Sequence, residues 1–157
     1  MPFLTHRNLP EFYDMSEIVY KFTDKNARCC LTESNVSVYR LERDDYLVFL
    51  RHLELCGQCP ISRETWEQIY DEGIVYFGIF TDGEMASRAC IEIISPNEWE
   101  IADVRTVCQY RKQGYAFQLC LFVLDQILSG GKMPTIRTKK DNLPMQKLID
   151  KLGFTPV

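Results

Sequence analysis

Six consecutive residues, Arg111, Lys112, Gln113, Gly114, Tyr115 and Ala116, bring positive charge, amide donors and a backbone lacking a Cβ to one point of the chain. They lie directly before an apolar stretch of helical spacing, FQLCLFVLDQIL. A helix opens with backbone N–H groups that have no acceptor inside the helix, and its dipole adds partial positive charge there, so such an entrance can hold a phosphate. Gly114 lets the backbone come close to a ligand or turn left-handed, and the small Ala116 leaves the first helical turn uncrowded. The segment matches neither G-x-x-x-x-G-K-S/T nor G-x-G-x-x-G, so a nucleoside-triphosphate or Rossmann site is unsupported. Taken alone, it reads equally well as the solvated, ordinarily capped start of a buried helix.

A second chemical pattern is the pair Cys56 and Cys59 in ELCGQCPIS, which has redox or zinc spacing. A reactive pair opens a helix, where the dipole favours the thiolate. Here the helical pattern RDDYLVFLRHLEL comes first and Gly57 reads as its stop, so the dipole works against ionisation. Zinc would need two further ligands, and Cys29, Cys30, His6 and His52 offer no recognisable spacing. No metal is therefore expected, and the seven cysteines, an odd number, read as reduced thiols in loops and core. The formal net charge of −4 gives no basic field for a phosphate backbone, which argues against nucleic acid. MPFLTHRNLPEF lacks the order of a signal peptide and no apolar run nears the roughly 20 residues that span a bilayer, so a cytoplasmic protein without a membrane segment is expected.

The elements that must position these residues follow from periodicity. Residues 1–35 read as an N-terminal extension packed on a domain of residues 36–157, the whole being one globular unit of 157 residues. Within the extension, LPEFYDMSEIVYKF fits a helix with Phe12, Ile18, Val19 and Phe22 inward. NVSVYRL predicts a strand, followed by helices at 43–55 and, capped by Ser62, at 63–71. Asp82-Gly83 and Pro96-Asn97 divide the next stretch into strands at about 74–81, 85–94 and 99–107. A helix at 114–129, a strand at 135–140 and a helix at 143–152 capped by Asn142 complete the order. The fold class is α+β, layered αβα. A strand–helix–strand crossover makes 99–107 and 135–140 parallel neighbours in an otherwise mostly antiparallel sheet, and it places the glycine turn at a strand's carboxyl end.

With these flanks, VRTVCQYRKQGYAFQL resembles the acetyl-CoA signature of the GNAT superfamily of N-acetyltransferases, R/Q-x-x-G-x-G/A between a strand and an amphipathic helix. Arg111, Gly114 and Ala116 fill its three defined positions. DNLPMQKLIDKLGF is similar to the family's downstream segment, with Asn142, Met145, Leu148, Lys151, Leu152, Gly153 and Phe154 in register. The resemblance covers residues 36–154 and implies a splayed parallel strand pair. It also implies acetyl-CoA as cosubstrate, with the pyrophosphate on the N–H groups of Arg111, Lys112, Gln113, Gly114, Tyr115 and Ala116. Pantetheine would pair with Thr106 and Val107, and the Val107 N–H would stabilise the oxyanion. Asn142 would hydrogen-bond pantetheine, although one oxygen cannot both do so and cap the helix.

The activity implied is direct acetyl transfer to an amine of a small molecule or peptide, with a non-catalytic acyl-CoA-binding or regulatory module as the alternative. An ammonium has no lone pair at neutral pH, so a base is needed. Glu100, eleven positions before Arg111, is the first candidate by the same resemblance, with Glu92 and Asp103 as alternatives. A regular strand would place Glu100, Ala102, Val104 and Thr106 on one face and Asp103 with Arg105 on the other. Two features depart from the family. Ile149 stands where many members have a tyrosine acting as general acid, and GFTPV stops where two further strands usually follow. The sheet edge is then expected to be bare, or covered by residues 1–35 or by a second copy in a homodimer. The acceptor has no recognisable sequence pattern.

Overall fold

A computed structural model describes residues 16–23 and 36–157. The chain runs through β1 (Glu17–Phe22), β2 (Val38–Arg40), α1 (Tyr46–Leu55), α2 (Arg63–Asp71), β3 (Val75–Thr81) and β4 (Glu84–Ile93). β5 (Glu98–Thr106), α3 (Tyr115–Ser129), β6 (Met133–Lys139), α4 (Leu143–Lys151) and β7 (Phe154–Pro156) follow. Arg43–Asp45 form a 3-10 turn rather than the first turn of α1. Ser62 caps α2, its hydroxyl accepting the Thr65 N–H at 3.1 Å. The β3–β4 hairpin turns on Asp82 and Gly83, whose φ values of 51° and 78° suit a tight two-residue connection.

One sheet holds all seven strands in the order β2-β3-β4-β5-β6-β1-β7. Only β5 and β6 are parallel neighbours, as the crossover through α3 requires. On one face α3 and α4 bury Leu119, Cys120, Val123, Leu124, Ile127, Ile149 and Leu152 against Ile79, Ala89, Ile101 and Ile136. On the other, α1 and α2 bury Phe49, Leu53, Trp66 and Ile69 against Tyr76, Met85 and Cys90. This is the αβα layering expected. No helix among the described residues is long and apolar enough to cross a membrane.

The N-terminal segment corrects the helix reading. Residues 9–15 of that stretch lie outside the described residues, and Glu17–Phe22 form a strand inserted between β6 and β7. It is antiparallel to both, pairing Tyr20 with Ile136 on one side and Pro156 on the other. β-Branched Ile18 and Val19 suit a pleated strand, and two ladders satisfy the backbone on both sides, which no surface helix at this position would do. The edge of β6 is therefore neither bare nor left to a partner: β1 covers it, and β7 adds a strand that the sequence pattern did not show.

His52 fastens α1 to the sheet. It is fully buried, and its Nδ1–H donates to the Met85 carbonyl at 2.7 Å, leaving Nε2 as acceptor 3.5 Å from the Cys56 thiol. Burial, helped by nearby Arg88, pushes its pKa down to about 4 despite the Met85 hydrogen bond.

Two outcomes are expected in urea unfolding. Tyr20, buried in the α3-side core, should cost about 3 kcal/mol when replaced by alanine; a loss below about 1 kcal/mol would mean that β1 is not integral to the sheet. His52 is neutral when folded, so the unfolded chain takes up a proton first as pH falls below its ordinary 6.5. Stability should decline between pH 6.5 and about 4, by up to about 3 kcal/mol, and His52→Gln should flatten that decline.

Candidate active site

β5 and β6 are paired from Glu98–Met133 to Ile101–Ile136 and then separate. Beyond that point β5 stays on β4 as far as the Ser87–Thr106 pair, while β6 stays on β1 as far as the Glu17–Lys139 pair. The result is a V-shaped cleft, closed at Ile101 and Ile136, in which each strand turns one unladdered backbone edge inward. The register of β4 on β5 also shifts between Arg88 and Cys90, where β5 carries one extra residue and Asp103 adopts a φ of 48°.

This bulge overturns the simple alternation expected along β5. Ala102 packs with the α1–α2 core and Val104 with the α3 core, while Asp103 faces Arg88 and Tyr76 on the α1–α2 side. Glu100, Ala102, Asp103 and Arg105 thus share the α1–α2 face, and Val104 and Thr106 the opposite one. The β4 ladder also engages the expected oxyanion donor. Val107 is buried and its N–H donates to the Ala86 carbonyl at 2.9 Å, so it belongs to the β4 ladder. Thr106, alternating with it, turns its N–H and carbonyl into the cleft. That carbonyl accepts a 3.2 Å bond from Arg111 Nε.

The glycine turn stands at the mouth of the cleft. Cys108–Tyr110 form a 3-10 turn, Arg111 is extended, and Lys112 and Gly114 have φ of 63° and 81° before α3 begins at Tyr115. Residues 111–114 are exposed. Left-handed residues on both sides of Gln113 turn successive N–H groups toward one concavity, as in an anion-binding nest. Among the described residues no acceptor takes the N–H of Lys112, Gln113, Gly114, Tyr115 or Ala116, whereas the Arg111 N–H is bound to the Cys108 carbonyl at 3.3 Å. Five of the six expected donors therefore have no acceptor among the described residues. Across the cleft, Asn142 caps α4 by accepting the Met145 N–H at 3.2 Å through Oδ1. Its amide NH2 remains for a carbonyl, which resolves the conflict between its two expected roles.

Three carboxylates lie on the α1–α2 face. Glu100, fully buried just below the point of divergence, receives Arg137 Nε on both oxygens at 3.0 and 3.2 Å and Arg137 Nη2 on Oε2 at 3.2 Å. Glu92 is its cross-strand neighbour. Asp103 accepts the Tyr76 hydroxyl at 2.7 Å and Arg88 Nε and Nη2 at 3.1 Å each. Burial, with Cys90 and Asp103 nearby, pushes the Tyr76 hydroxyl well above its ordinary pKa, so it stays a donor. Arg88, Arg137 and Tyr76 are not singled out by the sequence, because only the strand register shows which carboxylates they meet.

The remaining candidates play other parts. Ile149 is fully buried in the α3-side core. Cys56 ends α1, and burial raises its thiol pKa, in keeping with an unreactive helix terminus. Among the described residues no group of three or more His, Cys, Asp and Glu could hold a metal ion; Cys29, Cys30 and His6 lie outside them.

A family model described as the acetyltransferase (GNAT) family matches residues 35–154. No curated protein sequence matches the chain. Among solved structures, a putative GNAT-family acetyltransferase from Novosphingobium aromaticivorans is 22% identical with a TM-score of 0.70, over 90% of this chain and 60% of that one. AAC(6')-Iy in complex with the bisubstrate analogue CoA-S-monomethyl-acetylneamine is 18% identical with a TM-score of 0.64, over 78% of this chain and 92% of that one. The ribosomal-protein-S18-alanine N-acetyltransferase from Escherichia coli is 20% identical with a TM-score of 0.64, over 76% and 77%. At these identities the likeness is one of fold, and the chain spans only about three fifths of the Novosphingobium protein.

Proposed function

The chain belongs to the GNAT acetyltransferase family, and from this premise we propose that it transfers an acetyl group from acetyl-CoA directly to an amine of a small molecule or peptide. The observation that carries the reading is the cleft between β5 and β6, which opens directly onto the turn whose five N–H groups have no acceptor among the described residues. Those groups, on Lys112, Gln113, Gly114, Tyr115 and Ala116, would hold the pyrophosphate of the cosubstrate. Thr106 would pair with pantetheine as an added strand, Arg111 giving up its single bond to the Thr106 carbonyl, and the Asn142 amide would donate from the opposite wall.

When bound, acetyl-CoA supplies an acetyl thioester, and the chain's contribution is to polarise it and prepare the amine. The cleft-facing backbone of Val104 and Thr106, rather than of Val107, supplies the donors for the developing oxyanion. Glu100, at the apex of the V, takes the ammonium proton directly or through water, exchanging one of its contacts with Arg137 to do so. The amine nitrogen would then bond to the acetyl carbon as the C–S bond breaks, its second proton passing through solvent to the departing thiolate, since Ile149 offers no acid. Ile149 and the double engagement of Glu100 also favour the second reading, an acyl-CoA-binding module without turnover.

Titration calorimetry with CoA and acetyl-CoA, followed by thiol release across an amine panel, separates the readings. Binding with turnover supports the enzyme, binding without it the module, and absence of binding sinks both. Gly114→Glu puts a carboxylate at the anion cradle on a residue of φ 81°, and should lower CoA affinity more than about 100-fold while costing the fold only about 1–2 kcal/mol. Glu100→Gln should lower kcat by about 10²–10⁴ with CoA affinity unchanged. Unchanged kcat would move the base to Asp103 or Glu92.

A further inference from the structure

Arg88 and Arg105 stand directly opposite each other on β4 and β5, with side chains on the α1–α2 face. Like charges at such a pair repel, so the arrangement costs stability unless anions lie between or beside them. Asp103 is the one carboxylate that meets this pair among the described residues; of the two guanidiniums it holds only that of Arg88, through Nε and Nη2, and it also accepts the Tyr76 hydroxyl. Arg105 is exposed and pairs with no acidic side chain among the described residues. Two guanidinium groups thus share one carboxylate, in a chain whose overall charge is −4.

The donors of Arg88 are also incompletely used. Its side chain is 2% exposed and lies over the Phe49 ring, yet Nη1 is buried without a hydrogen-bond partner. Nη2 donates at 2.7 Å to Oε1 of Gln58, which belongs to the connection between α1 and α2. A neutral amide oxygen there is a weak partner for a buried guanidinium, and a charged oxygen in its place would bind more strongly.

We propose that the acceptor amine carries an oxyanion, a carboxylate or a phosphate, which binds to Arg88 and Arg105 beneath the α1–α2 connection, displacing the Gln58 amide. The inference rests on the acetyltransferase reading and narrows its acceptor. Polycationic amines would meet two guanidiniums and only one carboxylate at this point, whereas an anion gains the orphaned Nη1 and the exposed Arg105 together. Gln58 acts as a neutral cover that keeps Arg88 hydrogen-bonded until the acceptor arrives.

The test uses the full chain saturated with CoA for binding, or with acetyl-CoA for turnover. The probes are matched amines: phenylalanine against phenethylamine for the carboxylate, glucosamine 6-phosphate against glucosamine for the phosphate, and spermidine and neamine as polycations. At least one anionic member should bind to the CoA complex, or turn over, at least about tenfold better than its partner lacking the anionic group; which pair responds identifies the anion. Arg105→Gln, a change at an exposed residue, should erase that preference and leave the KM for acetyl-CoA unchanged. Preference for the polycations, no preference in either pair, or a preference that survives Arg105→Gln overturns the proposal. If the wild-type chain does not bind CoA at all, the parent reading falls instead and takes this one with it. Because the binding arm needs no turnover, a chain that binds CoA without catalysis still supports or overturns the anion site.

Discussion

At Asp103 the backbone of β5 turns left-handed in the middle of a nine-residue strand, and the two faces of the sheet are redistributed around that point. A non-glycine residue with φ near 48° is disfavoured by about 1–2 kcal/mol. Aspartate is among the residues that tolerate the conformation best, and its carboxylate is held by Tyr76 and by two nitrogens of Arg88. Charge-assisted bonds of this kind offset the strain. The extra residue frees the upper half of β5 from the register of the lower half. β5 can then stay with β4 while β6 stays with β1, and the space between them becomes the cleft. The cleft-facing Thr106 backbone and the pairing of Arg88 with Arg105 lie on the shifted side of this dislocation.

A cleft between two strands is stable only if each strand has another partner on its far side. β4 does this for β5, and β1 does it for β6, supported in turn by β7. A segment from the beginning of the chain therefore does structural service at the other end of the sheet, and Tyr20 carries the α3-side core across to it. With its far edge paired to β1, β6 can leave its β5-facing edge open without losing every backbone partner along that length.

The helices, the hairpin meander, the crossover and the glycine turn are legible in the sequence because each rests on local signals: Ser62 and Asn142 as caps, Asp82-Gly83 as a turn, and an unbroken helical apolar pattern from Phe117 onward. What is not legible depends on register. EIVYKF is too short for periodicity to separate helix from strand, and only its two ladders decide the matter. An aspartate carrying a bulge has no signature comparable with a glycine's, so period-2 counting runs straight through Asp103 and places Val104 and Thr106 on the wrong face. The family resemblance points to Val107 as oxyanion donor, and only the ladder to β4 shows that its N–H is already bound to Ala86. Arg88 and Arg137 are unremarkable in the sequence and become informative only beside Asp103 and Glu100.

A division of labour between backbone and side chains explains why the two halves of the site differ in how closely they follow the family pattern. In the proposed reading, cosubstrate binding would rely on N–H groups that any sequence able to adopt the turn will present, and would tolerate change at Lys112, Gln113 or Tyr115 provided that Gly114 keeps its left-handed φ. Proton transfer would rely on side chains, and here the sequence departs from the family pattern at Ile149. Ile149 packs into the core, and the carboxylate at the apex of the cleft is bound to Arg137 rather than left to water. A carboxylate buried at so dry a place must be partnered to be tolerated, and Arg137 is the guanidinium that meets it. Any acceptor amine that approaches must therefore compete with a guanidinium already in position. That competition favours an amine drawn in and oriented by a second contact, such as the one Arg88 and Arg105 can supply on the same face.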